Sequence, residues 1–236
     1  MDYGRYEANF LKYRDDIYHL APIPVVYKKL KNVKQFNEKL IKTAQKGFAP
    51  EILDVPDERH IHNLGNPITF PDEIWKETQI PAVGIWHRVP TNNFLNFNQE
   101  EVIKLKSIIE KEYSKALRIT ANLTNIKPDI SESWIQFYKN GDTKVLHNHE
   151  RYGPPYPSER WAGAYYIDDG NPDPHMPYSG VFSFRVRDSN YYVKPQAGLL
   201  MMWPADILHE VHPFYGSKTR IVINFNINAE YQSDKK

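Results

Sequence analysis

Residues 198–227 read GLLMMWPADILHEVHPFYGSKTRIVINFNI, and this stretch decides the fold of the chain. It holds three short apolar segments, at residues 199–203, 210–214 and 220–227, with turn-forming Pro, Asp, Gly and Ser residues between them. Segments this short, bounded by turn residues, are typical of β-strands rather than helices. The stretch therefore predicts three consecutive strands of a β-sheet fold.

Five more strand-like segments precede this stretch in the second half of the chain. They lie at residues 133–138, 144–148, 162–167, 181–186 and 191–193. Eight short strands separated by turns favour a jelly-roll or cupin-like barrel, the architecture also called a double-stranded β-helix. The expected fold class is therefore mainly β with flanking helices.

The first half of the chain carries the helical patterns. Apolar residues recur at helical spacing over residues 33–44, after a strand-like segment at 23–30, and again in the longest helix, which runs from about Asn98 to about Leu123. Residues 48–98 show no sustained period and are interpreted as loops and short strands.

The length of the chain fits one domain. All-β barrels with added helices commonly occur at the length of 236 residues as a single unit. We therefore expect one domain over residues 1–236, in which residues 1–127 supply flanking strands and helices and residues 128–230 form the β-helix core.

The overall composition restricts the possible partners. The 30 basic and 29 acidic side chains leave a formal net charge of +1, so no global field attracts nucleic acid. The chain has no Cys, which leaves His, Asp and Glu as ligands for a transition metal. No basic and apolar leader begins it, and no apolar run is long enough to span a bilayer. We expect a soluble, cytoplasmic protein without nucleic-acid or membrane partners, and leave its oligomeric state open.

Three histidines in the β-rich half form a candidate metal site. His147 and His149 flank Asn148 on or just after a strand, where alternate side chains point to the same face, so both imidazoles can reach one small ion. His209 follows the turn at residues 203–206 and can bring a third imidazole to the mouth of the barrel.

Arg220 adds a candidate site for a carboxylate. It lies eleven residues after His209, and a strand, a short turn and a returning strand place it beside His209 in the adjacent strand, facing into the barrel. A guanidinium group there can bind a carboxylate with two parallel hydrogen bonds. Together, the histidines and Arg220 are what binding of a metal and a dicarboxylate requires.

Each of these features also has an ordinary structural interpretation. A His-x-His pair is more often exposed or packed than metal-bound, and an isolated Arg more often neutralises a nearby acid. His60 and His62 repeat the same spacing, but with no third partner they are interpreted as part of a surface loop. His212 competes with His209, and ranks second because it precedes a Pro.

The sequence resembles the 2-oxoglutarate/iron(II)-dependent oxygenases. The resemblance rests on residues 134–149, 161–167 and 198–204, on His209, and on residues 220–226. Within that superfamily the chain is most similar to a prolyl-hydroxylase-like branch, whose largely uncharacterised members include bacterial and phage proteins.

The resemblance implies cofactors and site residues. Members of the superfamily use iron(II), 2-oxoglutarate as co-substrate and O2. Their iron is bound by a His-x-Asp/Glu pair and a later His, and a following Arg binds the far carboxylate of 2-oxoglutarate. The matching positions here are His147, His209 and Arg220. Tyr138 is the barrel tyrosine that we assign to the same co-substrate carboxylate.

His149 departs from the superfamily pattern, because it stands where the acid is expected. Three interpretations are open: His149 is itself a third ligand, Glu150 or another carboxylate takes the position, or water fills it. We favour the first, since Glu150 points away from His147 in an extended strand. The predicted metal-binding and catalytic set is then His147, His149 and His209.

The resemblance also implies an activity. We expect an oxygenase that hydroxylates an amino-acid or peptidyl side chain and converts 2-oxoglutarate to succinate, with residues 151–158 as a substrate lid or a rigid Pro-rich connection. The substrate is a small molecule or a peptide. The alternatives are a three-histidine iron dioxygenase that does not use 2-oxoglutarate, and a non-catalytic cupin-like module that binds a dicarboxylate.

Overall fold

The structure is a computed structural model that describes residues 16–20, 23–47, 60–63, 66–69, 87–88, 94–149 and 160–231. These residues form thirteen strands and two α-helices. The helices are α1, Lys34–Gly47, and α2, Glu100–Ala121. No helix among the described residues is long and apolar enough to cross a membrane.

The strands follow one another along the chain with short connections in the second half. They are β1 Asp16–Leu20, β2 Ile23–Lys29, β3 His60–Asn63, β4 Asn66–Thr69, β5 His87–Arg88, β6 Ile126–Tyr138, β7 Lys144–His147, β8 Trp161–Asp168, β9 Phe182–Val186, β10 Ser189–Val193, β11 Leu199–Pro204, β12 Leu208–Val211 and β13 Arg220–Tyr231.

Two sheets of unequal size form the barrel. The major sheet has the strand order β1-β2-β11-β8-β13-β6-β5, and the minor sheet has the order β10-β9-β12-β7. Buried side chains from both sheets, such as Tyr166 and Met201 from the major one and Phe182 and Phe184 from the minor one, form a single apolar cluster. The space between the two sheets is therefore the interior of the barrel.

The major sheet is covered on its other face by the helices. The apolar stripe of α2 includes Leu105, Ile109 and Tyr113, which are fully buried against outward-facing residues of the major sheet such as Trp161 and Phe225. Because β8 and β11 are buried on both faces, they carry nearly continuous apolar sequence instead of an alternating pattern. The helices thus support the sheet that carries Arg220 and Tyr138.

The eight predicted strands of the second half are all present, with some changes of bounds. β6 begins at Ile126, upstream of the predicted start at 133. β12 spans Leu208–Val211 instead of 210–214, which is explained by Pro213, because proline has no N–H to donate to a sheet. His209 therefore lies within β12 rather than just before the predicted strand.

Two predictions about neighbouring elements are wrong. Arg220 is not in a strand adjacent to His209: β12 pairs with β7 and β9 in the minor sheet, whereas β13 pairs with β6 and β8 in the major sheet. The connection between them crosses from one sheet to the other. His60 and His62 lie in a short strand, β3, which pairs with β4, and not in a loop.

Candidate metal centre

Three histidines converge at one end of the barrel, as the sequence spacing predicts. His147 ends β7 and lies directly opposite His209 of β12 in the antiparallel pairing. His149 follows the end of β7, and its backbone N–H donates to the carbonyl oxygen of Ala205 at 2.8 Å. Strand pairing and this backbone bond together hold the three residues side by side.

The three imidazoles are close enough to share one ion. One ligand nitrogen from each ring lies within 4.8 Å of the others. The Nε2 atoms of His147 and His149 are 3.3 Å apart, and the ring centroids of His147 and His209 are 4.2 Å apart. For metal–nitrogen bonds of about 2.0–2.1 Å, nitrogens that share an ion lie about 3.0–3.4 Å apart.

Each ring uses its Nδ1 atom in a hydrogen bond with an oxygen acceptor. The acceptors are Val145 O for His147 at 2.7 Å, Ile207 O for His209 at 2.8 Å and Asn226 Oδ1 for His149 at 2.6 Å. Since these oxygens accept, Nδ1 carries the hydrogen of each neutral ring and Nε2 keeps its lone pair. This tautomer is the one that a metal bound at Nε2 requires.

Burial keeps the three rings neutral. Desolvation, opposed by the hydrogen bond with Asn226, lowers the pKa of His149 to about 4. Desolvation, with the neighbouring histidines, holds the pKa of His147 and His209 well below the ordinary value of 6.5. A metal ligand must be an unprotonated imidazole, so the cluster is in its ligand form at neutral pH.

The donor set fits a borderline transition metal such as iron(II). Imidazole nitrogen is a ligand that iron shares with zinc, copper and nickel. Among the residues that the structure describes, no carboxylate joins the three rings. Glu150, the alternative ligand, lies outside the described residues. If the three nitrogens bound an ion, they would leave other coordination positions free for further ligands.

Aromatic side chains wall the histidine cluster. Phe182 stacks on His209 with ring centroids 5.5 Å apart, and Trp203 meets the same ring edge-on at 4.8 Å. Trp134 stacks on His149 at 6.2 Å. Such apolar walls limit the access of water, and so strengthen the electrostatic interactions within the site.

Arg220 is fully buried inside the barrel. Its Nε donates to Asp169 O at 3.2 Å and its Nη1 to Gly180 O at 2.5 Å, while the guanidinium packs over the ring of Phe214 at 4.4 Å. Within the described part of the chain, its buried Nη2 has no hydrogen-bond partner. A buried donor without a partner needs an acceptor, and a carboxylate is the acceptor that suits a guanidinium best.

Two tyrosines lie next to Arg220. Tyr138 is directly opposite it in the pairing of β6 with β13 and is buried. Tyr166, from β8, has its ring 6.0 Å from the guanidinium carbon. Burial raises the pKa of both phenols, so each keeps its O–H as a hydrogen-bond donor. Three donors from three neighbouring strands thus surround one region of the barrel.

Some residues near the site were not predicted from the sequence, and one predicted alternative lies elsewhere. His212 lies apart from the histidine cluster, next to the rings of Tyr178 and Tyr192. Tyr166 was not assigned to the site from the sequence, although alternation along β8 puts it on the inner face. Asn226 was not singled out, because nothing local in the sequence connects it to His149. Residues 151–158, the expected lid, lie outside the described residues.

Comparison with known proteins supports the resemblance found in the sequence. Residues 132–226 match the family model described as "Putative 2OG-Fe(II) oxygenase". This range contains every histidine of the cluster, together with Arg220 and Tyr138. No curated protein matches the sequence.

Solved structures share the fold at low sequence identity. A prolyl-4-hydroxylase from Pseudomonas putida is similar with a TM-score of 0.58 and 14% identity, over 89% of this chain and 95% of that one. A viral collagen prolyl hydroxylase from Paramecium bursaria Chlorella virus-1, solved with 2-oxoglutarate, has a TM-score of 0.53 and 16% identity, over 86% and 96%.

A third similar structure is a prolyl hydroxylase from Trichoplax adhaerens, in complex with a peptide fragment of the hypoxia-inducible-factor oxygen degradation domain. It has a TM-score of 0.55 and 14% identity, over 87% of this chain and 82% of that one. These similarities confirm the double-stranded β-helix.

The family match and the histidine cluster agree on the chemistry. The superfamily uses iron(II), 2-oxoglutarate and O2, and the match favours it over the three-histidine dioxygenase and the non-catalytic module. Residues 132–226 thus match the 2-oxoglutarate/iron(II)-dependent oxygenases, which confirms the resemblance and the expected enzyme class.

Proposed function

We propose that this oxygenase holds iron(II) with the Nε2 atoms of His147, His149 and His209, and hydroxylates an amino-acid or peptidyl side chain. The main support for this ligand assignment is the hydrogen bonding of the three imidazole rings. Every Nδ1 hydrogen is given to an oxygen outside the cluster, and the three Nε2 lone pairs are left for one another or for a cation. A cation is the partner that three lone pairs share.

Arg220 and Tyr138 are proposed to bind the far carboxylate of 2-oxoglutarate. The unpartnered Nη2 of Arg220 supports this role, since a carboxylate there completes the hydrogen bonding of a buried guanidinium. Tyr166 supplies a further donor beside it. When bound, iron(II) with 2-oxoglutarate and O2 supplies the oxidising power that inserts oxygen into a C–H bond, with release of succinate and carbon dioxide.

The catalytic core is proposed to be residues 128–230, flanked by residues 1–127 in a single domain. All the proposed site residues lie within that core. The N-terminal part contributes support instead: β2 extends the major sheet beside β11, and α2 packs on the outer face of that sheet.

The proposed substrate class follows from two observations. The similar structures from Pseudomonas putida and Trichoplax adhaerens are prolyl hydroxylases, and the second holds a peptide. The formal charge of +1 provides no global attraction for nucleic acid. A peptidyl or amino-acid side chain is therefore the substrate that we propose.

The test is a turnover assay with defined substrate pools. Purified enzyme is given iron(II) and 2-oxoglutarate with either a proline-containing peptide library, a proline-free peptide library or free amino acids. We expect one of these pools to stimulate succinate formation and to gain one oxygen atom by mass spectrometry. His209→Ala, the matched control, should give neither signal. Succinate formation that no pool stimulates would contradict the proposed substrate class.

A further inference from the structure

Asn226 joins His149 to a carboxylate. Its side chain is buried, its Oδ1 lies 2.6 Å from His149 Nδ1, and its Nδ2 donates to Glu132 Oε1. Asn226 on β13 and Glu132 on β6 are paired residues of the major sheet. The three side chains thus form one continuous row, which we call the Glu132 relay.

The Glu132 relay dictates the tautomer of His149. An ionised carboxylate only accepts hydrogen bonds, so the amide nitrogen of Asn226 must face Glu132. The amide oxygen then faces His149, whose Nδ1 must donate the hydrogen. His149 Nε2 is left with its lone pair directed at the other two rings. By contrast, His147 and His209 are fixed by backbone carbonyls two residues earlier in the chain.

The major sheet also contains an uncharged contact of the same kind, between side chains that are diagonal rather than directly paired. Asn224, two residues before Asn226, donates through Nδ2 to Gln136 Oε1 at 2.5 Å. Asn224 and Gln136 belong to the same two strands, β13 and β6. The acceptor is a neutral amide at this position and a carboxylate at the position that serves His149. Of these two amides, Asn226 contacts both a histidine and a carboxylate, whereas the contact of Asn224 with Gln136 is uncharged.

We infer that Glu132, acting through Asn226, supplies from outside the ligand set the negative charge that is lost where His149 replaces the usual acid. A carboxylate behind a metal-binding histidine makes the imidazole a stronger donor and fixes its orientation. In this chain the amide of Asn226 transmits that effect. Glu132 and Asn226 are positioning residues in this role, and the inference rests on the proposed metal site at the three histidines.

The test measures metal affinity and the visible spectrum of the cobalt(II) protein, not turnover. Outer partners of metal ligands typically contribute about 10- to 100-fold in affinity. Asn226→Ala should weaken cobalt(II) binding within that range and shift the absorption bands of the bound ion. Glu132→Gln keeps the hydrogen bond but removes the charge, so we expect a smaller loss of affinity, about threefold to tenfold.

A double variant separates this role from simple structural support. In Asn226→Asp/Glu132→Gln the carboxylate contacts His149 directly and the new amide donates to it, so both the charge and the tautomer are kept. We expect this variant to recover affinity to within about threefold of the wild type. Asn224→Ala, the matched control, should bind cobalt(II) as the wild type does.

The outcomes distinguish the Glu132 relay from the metal site itself. If the wild type binds cobalt(II) and Asn226→Ala and Glu132→Gln bind it equally tightly, the relay is wrong and the proposed metal site stands. Failure of the double variant to recover affinity while it melts like the wild type also overturns the relay. If the wild type binds no metal, the proposed function and the relay are both wrong.

Discussion

The Nε2 atoms of His147 and His149 lie 3.3 Å apart, and the hydrogen of each ring is given to an oxygen acceptor on the opposite side. Two facing lone pairs at this distance repel each other unless a proton or a metal ion lies between them. Burial disfavours the proton, because it lowers the pKa of both rings. The arrangement is therefore suited to a metal ion and costs free energy without one.

The metal-free protein should lose stability as the pH falls from 7.5 to 5. The folded-state pKa of His149 is about 4, below the ordinary 6.5, so the unfolded chain binds more protons between these values. Stability is complete above pH 6.5 and declines toward pH 4. For His149 the loss at pH 5 is on the order of 1–2 kcal/mol.

Thermal unfolding of the metal-free protein at both pH values measures this loss. His209→Gln removes one buried imidazole and should reduce the pH dependence. His175→Gln, at an exposed position, should leave it unchanged. A melting temperature that stays constant from pH 7.5 to 5 would show that the cluster is not held neutral by burial.

Arg220→Gln should spare metal binding and weaken 2-oxoglutarate binding. A hydrogen-bonded charge pair of this kind contributes about 1.5–3 kcal/mol, which corresponds to roughly 10- to 100-fold in the dissociation constant. Arg220→Lys keeps the charge but not the planar guanidinium group. Its affinity for 2-oxoglutarate should therefore fall between those of the wild type and Arg220→Gln. Calorimetric titration of the metal-loaded protein measures the 2-oxoglutarate affinity of both variants. Unchanged 2-oxoglutarate affinity in Arg220→Gln would refute the assignment.

Gly180→Ala should disturb the 2-oxoglutarate site by displacing Arg220. Gly180 has a φ of +55°, and a Cβ there would clash with the guanidinium of Arg220. We expect 2-oxoglutarate affinity to fall at least tenfold. Gly141→Ala is the matched control, because Gly141 also has a positive φ, of +90°, but among the described residues nothing lies within 4 Å of its Cβ position.

Comparison of the two glycine variants separates the effect of backbone strain from the effect of displacing Arg220. Each should lose about 1–2 kcal/mol of stability from its left-handed backbone alone. Only Gly180→Ala should bind 2-oxoglutarate more weakly. Equal affinities in the two variants would mean that Arg220 can move without effect on the co-substrate.

Tyr138→Phe should weaken 2-oxoglutarate binding about threefold to tenfold, since it removes one neutral hydrogen bond worth about 0.5–1.5 kcal/mol. Tyr165→Phe is its control. Tyr165→Phe also removes a buried hydroxyl. In the wild type this hydroxyl donates to Asn37 Oδ1 at 2.7 Å, on the outer side of the major sheet. Titration of both variants with 2-oxoglutarate should show a loss only for Tyr138→Phe, and a similar loss in both would argue against contact between Tyr138 and the co-substrate.

Local patterns in the sequence were sufficient for most of the fold. Turn residues between short apolar segments predicted the eight strands of the core, and helical spacing predicted α1 and α2. Alternation along a strand also predicted that His147 and His149 share a site. These features depend on residues that are close together in the chain.

The errors and omissions at the site concern how separate strands are arranged relative to one another. The position of Arg220 relative to His209 was wrong, because a short connection can return to the same sheet or cross to the facing one. Asn226 was missed because its partner His149 is 77 positions away. Its importance became visible only when β13 was placed beside β6 and near the end of β7.

Anaerobic titration with iron(II) and then 2-oxoglutarate tests the central claim most directly. We predict that the wild type binds one iron(II) and that added 2-oxoglutarate then produces a weak visible charge-transfer band. His209→Ala should bind no iron and show no band, whereas Arg220→Gln should bind iron and need more 2-oxoglutarate. Iron binding without a band at any 2-oxoglutarate concentration, or no iron binding by the wild type, would contradict a 2-oxoglutarate-dependent iron centre at His147, His149 and His209.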